Sequence, residues 1–412
     1  MQEARPHTTV CSSTLELGID IGNVHMIGQV GPTWSASSLV QRLGRSGRRD
    51  DEAHQMRVFI AEVPPSVDSG LHDRIFPNLL QSVAITELML EKWVESPNPQ
   101  PFDLSTLVQQ TLSCIAQTGG TTAEILSDWL IVRGAFRFLN RDQFVRFLRG
   151  LAKHDLIEQC PDGALILGLA GERIVHHYEF YAAFATPPEA RVVYGSRLIG
   201  TISSLAMPQP SDHILLAARR WQVVAVDDDR DEIEVKPATG RKPPHFLEGD
   251  GEIDPRIRQK MREVLFGDAL PSYLDIAAQK MLAESRREAV KAGLKDAPWV
   301  SAGPASLLWF PWTGTRATRT IQLICDRAGI PAIALGGLAV EIRLKPDEFL
   351  RAVRKVLDES PKSEELIDKE FNCQRRKWDQ FVAPDLLSEM FVKDRLDLSL
   401  ARECFAELFA SS

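Results

Sequence analysis

The sequence predicts a multidomain chain that begins as α/β and continues as α+β, and three observations carry that prediction. The first sixty residues alternate short apolar runs with glycine-bearing loops around one helical stretch, the rhythm of a strand–helix–strand unit. Residues 102–170 hold three helical stretches and then two short apolar runs joined by Pro161-Asp162-Gly163, a turn signal. Residues 171–250 lose helical periodicity, after which helices return to the end of the chain. Prolines at 97, 99 and 101 separate the first pattern from the second, because proline ends regular structure. The expected domains are therefore residues 1–65, a connecting helix and linker over 66–101, residues 102–170, and residues 171–412.

Composition narrows the class. With 412 residues and 44% hydrophobic side chains, the chain suits a soluble protein of about two to four domains. Cysteines at 11, 114, 160, 325, 373 and 404 form no C-x-x-C pair and no zinc-spaced cluster. Reduced thiols in a cytoplasmic protein are expected, with no metal site. The polar start Met1–Thr9 is unlike a signal peptide, and no apolar run is long enough for a bilayer. The net charge of −8 disfavours a uniformly basic nucleic-acid binder. The charge is uneven, however. Arg42, Arg45, Arg48 and Arg49 lie within eight residues, and an acidic run, Asp227 to Glu232, reads as a solvated loop.

In chain order, His7–Ser12, Val24–Val30 and Met56–Ala61 read as strands and Ser35–Arg48 as a helix. A sheet usually has about five or six strands, so this one is expected to leave an edge and a face uncovered, to be completed by another chain or by an upstream segment lost to truncation, with an independent three-strand domain the weaker alternative. Residues 77–95 read as one long amphipathic helix with Pro77 in its first turn. Leu104–Ala116 is a helix ended by Gly119-Gly120. Thr121 or Thr122 caps a second helix that runs to about Val132, and Asn140 caps a third over Arg141–His154. Strands at Leu156–Gln159 and Ala164–Leu167 complete the pattern of a winged helix. Arg141, Arg146, Arg149 and Lys153 make its third helix basic. That helix either touches nucleic acid or is a solvated face packing against the domain of residues 1–65.

Beyond it, Val192–Tyr194, Ile199–Ile202, Ile214–Leu216, Trp221–Val226 and Ile233–Val235 read as short strands of a small β-barrel or curved sheet. Helices are expected at about 254–266, 271–292, 316–328, 346–358, 362–380 and 384–409. Strands are expected at Ala332–Leu335 and Ala339–Ile342, with a mixed segment at Ser306–Trp312.

The chemistry concentrates near the start. Gln41-Arg42-Leu43-Gly44-Arg45-Ser46-Gly47-Arg48 matches helicase motif VI, Q-R-x-G-R-x-G-R, at every specified position. Phosphoryl transfer spreads negative charge over the γ-phosphate, and inserted guanidinium groups stabilise it. Arginine suits the task because its planar fork meets phosphate at two points and never deprotonates. Arg45 and Arg48, three residues apart, are expected on one helix face. Ser12-Ser13-Thr14-Leu15-Glu16-Leu17-Gly18-Ile19-Asp20-Ile21-Gly22 is similar to helicase motif V. Alone, its Ser-Ser-Thr would be an ordinary helix cap. Asp51-Glu52-Ala53-His54 spells a helicase box, but it follows motif VI in a polar turn. No apolar strand precedes it to aim its carboxylates at magnesium, so it is read as coincidence. Trp221 after two arginines, and Trp309, Phe310 and Trp312 before Thr313-Gly314-Thr315-Arg316, are either base-stacking platforms or core. A phosphate at the Thr313–Arg316 helix start is a further candidate. Trp221, Thr315 and Arg316 stand as candidate DNA contacts.

These motifs resemble the Lhr (large helicase-related) family of superfamily 2 DNA helicases. Other segments extend the likeness: Ile115–Gly120, Leu167-Gly168 with Gly171-Glu172-Arg173, Phe180–Phe184, Gly195–Gly200, and Leu335–Ala339 with Glu341. The resemblance implies a motor of two RecA-like domains, of which residues 1–65 hold the end of the second. It also implies a winged helix and a β-barrel-containing domain with C-terminal helices, with 3′-to-5′ translocation on single-stranded DNA and a role in repair. By the same resemblance Arg45 and Arg48 are catalytic, and Gly18, Asp20, Gln41 and Arg42 bind nucleotide. Ser12 and Thr14 touch the DNA backbone, as small hydroxyls at a strand–helix junction can.

No G-x-x-x-x-G-K-[ST] phosphate loop occurs in the chain. ATP and Mg2+ are therefore expected only where another protein segment supplies the first RecA-like domain, and the chain alone should be inactive. The expected partners are that segment and single-stranded or tailed duplex DNA, with no membrane. The rival is a non-enzymatic DNA-binding module with a vestigial motor remnant. A transcription regulator is a weaker third, since a regulator has no use for arginine fingers.

Overall fold

The structure is a computed structural model that describes residues 8–11, 24–47, 53–66, 69–98, 102–184, 189–195, 197–203, 208, 210, 213–216, 219–227, 230–238, 251–303, 305–367, 371 and 373–411. Motif V, with Ser12, Thr14, Gly18 and Asp20, lies outside the described residues, as does Arg48. Contacts divide the chain into two compact units. Met1–Pro97, Glu252–Asp368 and Arg395–Ser412 form one; Asn98–Gly251 and Lys369–Asp394 form the other.

The first unit opens as mixed α/β. Strand β1 (Ile27–Val30) pairs in parallel with β2 (Met56–Phe59), Val30 facing Phe59. Helix α1 (Ala36–Leu43) connects them, started by Ser35, whose hydroxyl accepts the Ser38 amide at 3.1 Å. Among the described residues the sheet has these two strands, and residues 8–11 carry none. Helix α1 stops at Leu43, not at Arg48 as expected, so Arg45 follows it in a turn and the shared helix face does not form. Gly44 closes the helix, and Ser46 is drawn across to Val24 instead of continuing it.

Short α2 (Leu71–Arg74) leads to α3 (Pro77–Leu90). Helix α3 differs from the amphipathic helix expected. Leu79, Leu80, Gln81, Val83, Ala84, Ile85 and Leu88 are all buried, which covers most of its circumference. Helix α1 and two helices from residues 255–291 pack on it, so it is a core helix. It also ends at Leu90. Lys92 turns left-handed (φ +61°) and donates its amide to Met89, while the Trp93 amide reaches Leu88 O, both at 2.9 Å. That is a Schellman ending with lysine where glycine is usual.

The second unit follows the expected order closely. Helix α4 (Leu104–Thr118) ends at left-handed Gly119. Thr122 caps α5 (Ala123–Ser127), which runs on as a π-helical turn over Asp128–Val132. Asn140 and Gln143 form a reciprocal capping box on α6 (Arg141–Lys153). Strands β3 (Ile157–Gln159) and β4 (Leu165–Leu167) pair antiparallel. The basic helix α6 is partly covered: Arg146 pairs with Asp385, and Gln143 donates to Glu389 at 2.7 Å. Asp385 and Glu389 thus cover its Gln143–Arg146 side, while Arg141, Arg149 and Lys153 remain exposed.

Helix α7 (Leu169–His176) was not expected. It abuts the backbone of residues 155–156 so closely that a Cβ at Gly171 would run into the Leu156 carbonyl, an approach only glycine permits. A 3-10 turn over Tyr178–Tyr181 comes next. Strands β5 (Glu189–Tyr194), β6 (Arg197–Ser203), β7 (His213–Leu216), β8 (Arg219–Asp227) and β9 (Glu232–Pro237) form one sheet in the order β6-β5-β9-β8-β7. Only the β5–β9 pair is parallel. Val192, Ile214, Trp221, Val223, Ile233 and Val235 make its core. Among the described residues no pairing closes β6 onto β7, so the sheet is open.

The chain then returns to the first unit with α8 (Pro255–Phe266), α9 (Ile276–Lys291), β10 (Trp299–Gly303), β11 (Ser306–Trp309), α10 (Thr315–Arg327), β12 (Ala332–Leu335), β13 (Ala339–Ile342) and α11 (Pro346–Asp358). The four strands form an antiparallel sheet in the order β10-β11-β13-β12. Alternation along β11 serves two cores. Leu307 and Trp309 join Ile321, Ile324, Phe349 and Phe405, whereas Leu308 joins α3 and α8 residues.

Among the described residues, the expected helix over 362–380 is replaced by 3-10 turns at Ser363–Leu366 and Asp379–Phe381. Buried Asp379 accepts the amides of Arg375 and Arg376, both at 2.8 Å, and so competes with helical bonding. The expected helix over 384–409 is split into α12 (Pro384–Arg395) and α13 (Leu398–Ala410), because Asp397 caps the second. Among the described residues no helix is long and apolar enough to cross a membrane.

Candidate functional site

The turn after α1 is held from several sides. The Arg45 and Ser46 amides fold back to Arg42 O and Leu43 O at 3.0 and 3.1 Å, and the Gly47 amide reaches Val24 O at 3.2 Å. The Ser46 hydroxyl accepts the Gln55 amide at 3.0 Å and donates to Leu43 O at 2.9 Å. His54 meets the Ser46 carbonyl, which gives that residue a structural contact. Arg42 donates to Gln29 Oε1 at 2.5 Å, and Gln29 Nε2 in turn donates to Val30 O and Gly31 O at 3.0 and 3.1 Å. Arg45 is only 6% exposed, Arg42 is half-buried, and Gln41 is exposed. The structure therefore gathers Gln41, Arg42 and Arg45 at one end of a two-turn helix. This is a rigid, positively charged turn of the kind that anionic oxygens favour.

A buried polar chain ties this region to the later part of the same unit. Gln81, on core helix α3, donates to Thr33 O at 2.8 Å, in the loop that precedes α1. Arg258 on α8 donates to Gln81 Oε1 at 3.2 Å and to Gly336 O at 3.0 Å. Gly336 and Gly337 both lie at positive φ (+55° and +60°), which explains a double glycine between β12 and β13. Sequence reasoning missed the chain. Its only trace was a glutamine inside the apolar run of α3. In the first turn of that helix, Glu62 accepts the Leu79 amide at 2.8 Å. Burial pushes its carboxyl up to about 7, opposed by the bonds from Leu79 and Asn78.

The candidate DNA contacts outside the motifs all have partners within the chain. Trp221 is 5% exposed, its ring packs against Tyr194 with centroids 5.5 Å apart, and its indole N–H is spent on Leu216 O at 3.1 Å. It has no face to offer a base, whereas Tyr194 remains exposed. Thr315 is paired with Ile253 in both directions: its hydroxyl accepts the Ile253 amide at 2.9 Å and its amide donates to Ile253 O at 3.1 Å. Arg316 donates to Leu396 O at 2.8 Å. The start of α10 is thus met from within by Ile253 and Leu396. Trp309, Phe310 and Trp312 are core.

The accessible rings lie elsewhere. Tyr178, Tyr181 and Phe184 are 75%, 89% and 73% exposed within seven residues of the second unit. Buried Phe180 anchors them edge-on to Trp378, and Gln109 donates to the Phe180 carbonyl at 3.1 Å. Among the described residues no group of three His, Cys, Asp or Glu side chains is placed to hold a metal ion.

Comparisons with known proteins place this geometry. The helicase conserved C-terminal domain family matches residues 3–50. The chain is 28% identical over 268 residues to the Lhr helicase/uracil glycosylase of Escherichia coli (strain K12), across 60% of this chain and 16% of that protein. Its fold matches the structure of Mycobacterium smegmatis helicase Lhr bound to ssDNA and AMP-PNP with a TM-score of 0.54 and 16% identity, over 97% of this chain and 55% of that one. The chain thus spans about half of the second relative and far less of the first.

Proposed function

With the chain corresponding to the C-terminal part of Lhr-family superfamily 2 helicases, we propose that it is the distal part of an ATP-driven motor that moves on single-stranded DNA. Residues 1–65 act as the end of the second RecA-like domain and residues 102–170 as a winged helix. Residues 171–412 form a region of β-sheet and helices that grips nucleic acid. The observation that carries the proposal is an intact motif VI whose Gln41, Arg42 and Arg45 stand together at the braced end of α1. Arg45 and Arg48 bring positive charge to the γ-phosphate, and Gly18, Asp20, Gln41 and Arg42 hold the nucleotide. Ser12 and Thr14 take the DNA backbone. The residues present fit only the arginine side of an ATP site. The phosphate loop and the carboxylates that hold magnesium come from a segment carrying the first RecA-like domain.

The test is ATP hydrolysis by this chain, alone and mixed with that segment, with and without single-stranded DNA. DNA-stimulated hydrolysis in the mixture alone supports the proposal. DNA binding indifferent to ATP and to the added segment would instead describe a binding module with a motor remnant.

In the DNA-gripping region the proposal assigns base stacking to Tyr178, Tyr181 and Phe184. Stacking on an aromatic ring is worth about 1–3 kcal/mol per base. Tyr181→Ala is therefore expected to weaken binding of a labelled oligothymidylate about 5- to 150-fold with no change in melting temperature. Trp221→Ala is expected to do the reverse, because it empties the core of the five-stranded sheet. Fluorescence anisotropy and thermal melts on both variants separate the cases, and unchanged binding in Tyr181→Ala removes the stacking role.

A further inference from the structure

We propose that Glu95 and Gln81 are positioning residues for motif VI, clamping the turn from which α1 starts and so fixing where Gln41, Arg42 and Arg45 stand. The inference rests on the reading of residues 41–48 as the nucleotide-facing motif. Glu95 lies 59 residues after Ala36 in the chain, yet its two carboxylate oxygens accept the Ala36 amide at 2.6 Å and the Ser37 amide at 3.0 Å. Ser35 accepts the next amide, that of Ser38. Three of the amides that a helix start leaves without partners are thereby satisfied, and two of them by a negative charge at the positive end of the helix dipole. Gln81 holds Thr33 O two residues earlier. The two clamps come from α3 and from the segment that follows it. Gln81 is a buried residue of α3, and Glu95 follows the Schellman turn at Lys92 that sends the chain back from the end of that helix.

The geometry gives these bonds leverage. Helix α1 has eight residues, too few to be stable alone, since isolated helices shorter than about 12–15 residues are marginal in water. Its direction is therefore set by its packing on α3 through Ala36 and Leu39 and by what grips its ends. The far end carries Arg42, tied to Gln29, and the turn with Arg45. A tilt at Ser35–Ser37 displaces those side chains relative to a phosphate they must meet. A misplacement of about 1 Å costs on the order of 100-fold in rate. Because Glu95 does not itself reach the motif VI side chains in these bonds, its effect is on turnover through the position of α1.

The experiment uses Glu95→Ala and Glu95→Gln in this chain, with Arg45→Ala as the reference for the motif. Amide hydrogen exchange is measured on the chain alone. Steady-state ATP hydrolysis is measured in the mixture with the segment that carries the phosphate loop. Glu95→Ala is expected to speed exchange of the amides of residues 36–43 about 10-fold or more while α8 and α9 keep their protection. It should lower kcat about 10- to 100-fold and leave KM for ATP within about a factor of three, with partial recovery in Glu95→Gln, which retains one acceptor oxygen. If Glu95→Ala also exposes α8 and α9, the chain has unfolded, and Glu95→Gln decides by the same two readouts. Unchanged exchange in α1, or unchanged kcat where Arg45→Ala is inactive, overturns the inference and leaves motif VI in place. Unchanged hydrolysis in Arg45→Ala, or no hydrolysis with the unaltered chain, overturns the motif reading and the inference with it.

Discussion

Replacing Arg48 with alanine is expected to lower ATP hydrolysis by about 10³–10⁵-fold in the mixture of this chain with a segment carrying the phosphate loop. The chain's binding to single-stranded DNA should stay within about twofold. The size follows from chemistry. In phosphoryl transfer little is left for side chains to do except position the groups and neutralise charge, so one inserted guanidinium supplies a large share of the effect. Arg48→Lys should recover little, because an ammonium is a point charge and lacks the two-point fork. Arg45→Ala is expected to be equally inactive but also less stable. Arg45 is buried against the turn that Ser46 and Gly47 close, and its removal leaves a hole there. Phosphate release and thermal melting on the two variants resolve the pair. Full hydrolysis in Arg48→Ala would remove the arginine-finger assignment.

What could be read from the sequence was what neighbouring residues decide. Ser35, Thr122 and Asn140 start their helices as expected, and Gly119 ends one, because each acts on amides or carbonyls within four residues. The strands of residues 189–237 were legible for the same local reason. Two failures are local, where Asp379 and Asp397 break the helices expected over 362–380 and 384–409; the others are non-local. Helix α3 looked one-sided because the helices that cover its other faces come about 170 residues later. The two cores served by Leu308 and Trp309 required knowing that β11 has helices on both faces. Helix α7 was hidden because Gly168 and Gly171, unfavourable in a free helix, are there to let it touch the backbone of Asp155 and Leu156.

The candidate site divides in the same way. Motif VI was readable because phosphate chemistry dictates its residue types, and the structure adds that its helix ends before the second arginine. The tryptophans and the Thr315–Arg316 junction could not be placed because residue type alone does not say which side of a sheet a ring faces, or that Ile253 meets a helix start. Glu95 and Arg258 carried no local signature at all. Each is a single charged residue whose partners are distant in the chain.

Arg258 carries the second large expectation. Arg258→Ala should destabilise the first unit by about 3–5 kcal/mol, a large part of a typical domain stability of about 5–15 kcal/mol. The side chain is 3% exposed and donates to Gln81 Oε1 and to Gly336 O. Taking it away leaves those acceptors buried, at about 1–3 kcal/mol each, together with the hole left by the removed atoms. Arg258→Lys should recover less than half, since one ammonium on a shorter reach cannot serve a glutamine on α3 and a carbonyl between β12 and β13 together. Arg256, two residues earlier, is the control. It pairs with Glu263 at the surface, with a side-chain exposure of 36%, and alanine there should cost under about 1 kcal/mol. Denaturant unfolding of the three variants compares them directly, and a loss below about 1 kcal/mol for Arg258→Ala would show the polar chain to be dispensable. With the loss in place, Gln81 is released from α8, and its remaining bond is to Thr33, at the foot of α1. The same substitution should therefore speed amide exchange in α1 at denaturant concentrations below the unfolding transition, which ties the stability of residues 255–342 to the placement of the motif VI arginines.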